Sequence, residues 1–125
     1  MNKLEIPITK VKLDSDIKKE IANLHSEIID NGWFVQGPRV KEFEDLWSDY
    51  TKSKHSIAVT SCTTAMHASL TALGVGKGDE VIVPAFTWIA TANVVEHIGA
   101  KVVFCDIDIN TFNIDVNKLE SLITK

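Results

Sequence analysis

The chain has 125 residues, 45% hydrophobic and 24% charged, with three prolines and a formal net charge of -4. These figures describe one globular domain's worth of sequence with enough apolar residues for a modest core, and exclude a disordered, fibrous or low-complexity chain. An acidic balance without a block of Lys or Arg excludes wrapping a nucleic-acid backbone or holding an anionic membrane surface, and no apolar run is long enough to span a bilayer.

The opening "MNKLEIPITKVKLD" lacks the apolar centre of a signal peptide, so the expected compartment is the cytoplasm. In that compartment Cys62 and Cys105, which form no CxxC or Cys/His pattern, are expected as free thiols. After an extended "IPIT" at residues 6–9, Asp14 or Ser15 predicts the cap of a helix on which Ile17, Ile21, Leu24 and Ile28 recur at helical spacing, with Gly32 as its stop. The turn "QGPR" then leads into a second helix, whose Val40, Phe43, Leu46, Trp47 and Tyr50 fall on one stripe. A stripe is what packing needs, so these aromatics are read as core.

From residue 55 the rhythm changes. "SIAV", a helix from Thr63 to Leu73 ended by Gly74, "EVIVP", a helix from Trp88 to Ile98 ended by Gly99, and "VVFCDI" alternate as parallel βαβ units do. The tail "NIDVNKLESLITK" predicts an Asp115-capped helix with Leu119, Leu122 and Ile123 on one face. The expected organisation is a helical arm over residues 1–54 and the opening βαβ units of an α/β sheet over 55–125.

Several stretches have residue types suited to chemistry. The glycines of "GVGKGDE" end a helix and precede a strand, the reverse of what a dinucleotide or phosphate loop requires. "VTSCTTAMH" does leave a strand and enter a helix, where unpaired N–H groups and the positive end of the helix dipole meet; Ser61, Thr63 and Thr64 add hydroxyl donors. The same residues also serve as a plain helix cap, and the stretch alone leaves cap and anion cradle level. Cys62 lies close enough to that helix start for its thiol to be activated, but without a positioned His partner it reads as a small filler.

In "VPAFTWIATANVV" Trp88 falls at the carboxyl edge of the sheet, where open α/β sheets bind ligands and an indole face can stack on a planar ring; core packing is the competing use. Asp106 and Asp108 stand at a strand end and read as turn and cap residues rather than an acid–base pair. His25, His55, His67 and His97 have no metal-ligand spacing.

"NGWFVQGPRVKEFE" and the long run from "VTSCTTAMHASLTALGVGKGDE" through "VIVPAFTWIATANVVEHIGAKVVFCDIDINTFNID" together resemble one family, the PLP-dependent sugar aminotransferases of the DegT/DnrJ/StrS group. The resemblance covers nearly the whole chain and implies an α/β fold: the first portion of an aspartate aminotransferase-like large domain, three-layered with a mostly parallel sheet. It implies transfer of an amino group, usually from glutamate, to a ketone of a nucleotide-linked sugar, in amino-sugar or polysaccharide biosynthesis, by a homodimer using pyridoxal 5'-phosphate. By position, Thr63 and Thr64 would contact the cofactor phosphate, Trp88 would stack on its ring, and Ser61 and Cys62 belong to the same loop. Relatives often have Gly or Ala where this chain has Cys62. The "GWFVQGP" turn makes Trp33 and Gln36 substrate-side candidates.

In relatives the Schiff-base lysine and the aspartate facing the pyridinium nitrogen come after the position of Lys125, so no catalytic residue is assigned here. The expectation is therefore one piece of a longer enzyme, inactive alone, with strand edges and apolar faces left open. A PLP-dependent sugar dehydratase of the same family and a noncatalytic interaction module are the alternatives.

Overall fold

The structure, a computed structural model, describes residues 11–124. The expected extended "IPIT" lies outside them. Two compact units divide at Ala58 and Val59.

The first unit has two helices. Helix α1, Ser15–Asn31, starts from Asp14, whose carbonyl accepts the Lys18 N–H at 3.0 Å although its carboxylate makes no cap bond. It stops where expected: Gly32 turns left-handed at φ 70° and donates its N–H to the Ile28 carbonyl at 3.0 Å. Helix α2, Pro38–Thr51, has Gly37 at its N-cap and Pro38 in its first turn, where a missing N–H costs nothing. The stripes are present but largely uncovered: only Leu24 and Ile28 of the α1 stripe are half-buried. Ile17 and Ile21 on α1 are exposed, as are Phe43, Trp47 and Tyr50 on α2, and neither helix buries a residue. The reading of the α2 aromatics as core is thus corrected: among the described residues nothing covers them, and they touch one another instead, Trp47 with its ring centroid 6.0 Å from Phe43 and 5.9 Å from Tyr50.

The second unit runs α3 (Cys62–Ala72), β1 (Glu80–Pro84), α4 (Ala90–His97), β2 (Lys101–Cys105) and α5 (Val116–Leu122). β1 and β2 pair in parallel, Glu80 opposite Lys101 through Pro84 opposite Cys105. The crossover helix α4 packs on both strands, α3 packs against α4, and α5 packs on β2. Val94, Val95 and Ala100 form the buried centre, with Met66, Leu70, Val81, Ile98 and Val102 around it. This is the α/β architecture expected, reduced to its smallest parallel sheet.

Further expectations fail. "SIAV" is not a strand: it runs without ladder partners, and Ile57 is 81% exposed, because no other described strand lies beside it to take its N–H and C=O groups. Ile123 falls just past the end of α5 and is exposed rather than sharing the face of the half-buried Leu119 and Leu122. Among the described residues no helix is long and apolar enough to cross a membrane.

Candidate functional site

The loop entering α3 is built by its hydroxyls. Ser61 is the N-cap, in extended conformation, and its Oγ accepts the Thr64 N–H at 3.1 Å while its carbonyl accepts the Ala65 N–H at 3.0 Å. The Thr64 hydroxyl lies 3.0 Å from Ser61 Oγ and 3.1 Å from Thr60 Oγ1, so three hydroxyls form one cluster over the first turn. Among the described residues the Cys62 and Thr63 N–H groups meet no acceptor, which leaves two backbone donors at the positive end of α3. Ser61, Cys62, Thr63 and Thr64 are all exposed.

Cap and cradle therefore coexist. A hydroxyl is one donor and two acceptors, so Ser61 can accept from Thr64 N and still donate its own hydrogen outward. The segment from Val59 to Thr64 contains no carboxylate. A donor set of hydroxyls and free N–H groups at a helix start, without a competing negative charge, fits a phosphate.

Trp88 lies in the loop between β1 and α4, two residues before the first helical residue rather than in the helix itself, and is 80% exposed. Its carbonyl accepts the Thr91 N–H at 3.0 Å, which ties the loop to the helix start. The loop begins where the Ala85 N–H is donated to the Cys105 carbonyl at 2.7 Å, so the ends of both strands set its origin. A cavity of about 370 Å³ is lined jointly by Ala65 and Met66 of α3, Pro84 at the end of β1 and Thr91 of α4. The residues that follow the hydroxyl loop and those that border the tryptophan loop thus share one cavity wall in the second unit.

The other candidates sort differently. Trp33 and Gln36 are not part of that loop pair; they line a cavity of about 200 Å³ in the first unit together with Asn31, Phe34, Pro38 and Arg39. Gln36 takes a left-handed φ of 48°, and Gly37 is needed because a Cβ there would meet Trp33 Cβ at 2.9 Å. Arg39 is spent on carboxylates, 2.7 Å from Glu42 and 2.5 Å from Glu27. That pairing raises its pKa through Glu42 first and Glu27 second, and leaves it no surplus charge for a phosphate.

Cys62 is an exposed free thiol and Cys105 a buried one. Asp108 makes a turn, as expected: its carboxylate accepts the Asn110 N–H at 2.8 Å and the Thr111 N–H at 3.0 Å, which lowers its pKa in that order of cause. Asp106 is held low by Lys118, 3.0 Å away, and then by the Ile107 N–H. No pattern or spacing singles out Phe86 and Phe112, exposed aromatics whose ring centroids meet 5.8 Å apart in the same unit as Trp88.

The pattern of the DegT/DnrJ/EryC1/StrS aminotransferase family matches residues 15–125. GDP-perosamine synthase of Caulobacter vibrioides is 50% identical over 99 residues, 78% of this chain and 27% of its own length. Spr1654 of Streptococcus pneumoniae, described as a sugar aminotransferase and solved in its PLP form, superposes with a TM-score of 0.84 at 36% identity over 97% of this chain and 30% of its own. GDP-4-keto-6-deoxy-D-mannose-3-dehydratase of E. coli, with bound hydrated PLP, gives 0.83 at 33% identity over 97% of this chain and 32% of its own. The chain spans 27% to 30% of the length of the curated relatives it matches first. An α/β unit with a hydroxyl-lined helix start and a tryptophan loop at the end of β1 accords with the match along nearly the whole sequence: the chain belongs to the DegT/DnrJ/EryC1/StrS aminotransferase family.

Proposed function

We propose that this chain supplies the cofactor-holding edge of a PLP-dependent nucleotide-sugar aminotransferase. The observation that carries the reading is the α3 start, with two free N–H groups and a hydroxyl cluster in a segment without a carboxylate. Thr63 holds the phosphate through its N–H and hydroxyl and Thr64 through its hydroxyl, Ser61 orders the turn by accepting the Thr64 N–H, and Cys62 contributes its N–H rather than its thiol. Trp88 covers a ring face and excludes water from it. When bound, PLP supplies an electron sink; the segment supplies orientation and charge compensation.

The keto sugar nucleotide, glutamate as amino donor, a homodimeric assembly and a cytoplasmic location complete the proposal for the whole protein. The names of the relatives support the sugar-nucleotide class. Trp33 and Gln36 are proposed on the substrate side, where an aromatic wall beside an amide suits a sugar or base and the neutralised Arg39 disfavours a phosphate. The nearly equal likeness to a dehydratase supports a second reading, sugar dehydration with the same cofactor edge.

The test compares PLP with pyridoxal, which lacks the phosphate. In the protein carrying this segment, Thr64→Val should weaken PLP on the order of tenfold, as expected for a lost bond to a charged group, and leave pyridoxal unchanged. Equal losses for both compounds would remove the phosphate role. Conversion of a keto sugar to an amino sugar at the expense of glutamate, against loss of a hydroxyl, separates the two readings.

A further inference from the structure

A ring-covering tryptophan is useful only if it is held, and Trp88, 80% exposed, is not held by its own burial. Its loop is fastened at the start by the Ala85 N–H bond to Cys105 and at the end by the Thr91 N–H bond to Trp88, with the Thr87 and Thr91 hydroxyls 3.1 Å apart. Between these points the Phe86 side chain reaches the loop that joins β2 to α5. Its ring meets that of Phe112 at 5.8 Å with the planes tilted by 50°. Tilted aromatic pairs at this separation attract one another through their ring quadrupoles.

Phe112 stands in an unusual place. Its φ is 59°, a left-handed conformation that is costly for a bulky L-residue. The loop around it is closed tightly enough to impose that cost: Ile107 bridges Ile114, the Asp108 N–H is donated to the Asn113 carbonyl at 2.9 Å, and the Phe112 N–H to the Asp108 carbonyl at 2.8 Å. The Asp108 carboxylate fixes the tip through Asn110 and Thr111. A right-handed φ would redirect the Cα–Cβ bond and with it the ring.

We propose that Phe112 is a positioning residue: the closed loop over residues 107–114 aims its ring at Phe86 and so braces the loop that carries Trp88. The brace itself is independent of the aminotransferase reading; its consequence for cofactor binding rests on that reading.

Nitrogen-15 relaxation of the Trp88 indole N–H, assigned by its loss in Trp88→Phe, measures the brace in the full chain without cofactor. Phe112→Asn keeps a residue that accepts the left-handed backbone but removes the ring. The Trp88 order parameter should fall into the flexible range, below about 0.6, in Phe112→Asn and return in Phe112→Tyr, with Trp33 and Trp47 unmoved. An unchanged Trp88 in a folded Phe112→Asn, or a Phe112→Tyr as mobile as Phe112→Asn, overturns the proposal. Should Phe112→Asn fail to fold, Phe86→Ala, which leaves the 107–114 loop intact, decides by the same readout. Where PLP binds the parent protein, Phe112→Asn should weaken it several-fold. Absence of PLP binding in the whole protein that carries this segment defeats the cofactor reading and leaves the indole measurement to judge the brace.

Discussion

Ser61 shows how one side chain serves both stability and chemistry. Its Oγ takes the Thr64 N–H, a cap whose removal in Ser61→Ala should cost about 1 kcal/mol. Ser61→Asp separates the two roles, because Asp caps as well as Ser and its charge suits the helix dipole, but it places a carboxylate beside the proposed phosphate. Thermal melting should therefore find Ser61→Asp as stable as the parent, while PLP titration finds affinity sharply reduced and pyridoxal affinity largely kept. Undiminished PLP binding by Ser61→Asp would reduce the hydroxyl loop to a cap. "VTSCTTAMH" already contains the cap and the donors; their coexistence depends on the hydroxyl cluster of Thr60, Ser61 and Thr64, which only the folded turn assembles.

Among the elements, the segment from Asp106 to α5 is held by ionised groups and titrates with them. Asp106 and Asp108 both have lowered pKa values, Asp106 through Lys118 and the Ile107 N–H, Asp108 through the Asn110 and Thr111 N–H groups. Carboxylates with folded pKa values below the unfolded ones add stability above the unfolded value of about 3.9, which is lost as pH falls through the folded values. Lys118, raised by Asp106, adds stability that is complete below its unfolded pKa and lost as pH rises through the folded one. The segment should accordingly be steady across neutral pH and loosen first below about pH 4. The contribution of each pair is small because the side chains are exposed. Amide hydrogen exchange of Asn110, Thr111 and Phe112 against pH should show this loosening before β1 and β2 are affected, and should weaken in Asp108→Asn. Simultaneous loss of protection in the strands and the loop would contradict a local acid response. Cap residues made these elements legible: Gly32 and Asp115 act where the sequence places them. The left-handed Phe112 was not legible, since Phe carries no preference for that conformation and the loop's hydrogen bonds impose it.

For the molecule, the decisive fact is how little is covered. The buried residues Val83, Val94, Val95, Ala100 and Cys105 all lie in the second unit, whereas Phe43, Trp47 and Tyr50 in the first and Phe86, Trp88 and Phe104 in the second face outward. Among the described residues the two-stranded sheet also leaves unpaired edges. Large open apolar surface and free strand edges drive association. Sedimentation velocity of the 125-residue chain should show mass rising with concentration, and Phe43→Asp with Trp47→Asp should reduce it. A single monomeric boundary at every concentration would mean that these faces are not adhesive.

The sequence by itself determined the local order of this protein: the helices, their caps, the parallel β1–α4–β2 unit and the loops that precede α3 and α4. Each of these follows from periodicity, backbone preference and hydrogen-bond supply within a few residues. The tertiary structure decided what depends on a second surface. "SIAV" has strand composition but gains a ladder only beside another strand, and the α2 stripe becomes core only against a covering face. The brace of Phe112 on Phe86 joins residues 26 positions apart through a closed loop, a contact that composition and spacing leave unspecified.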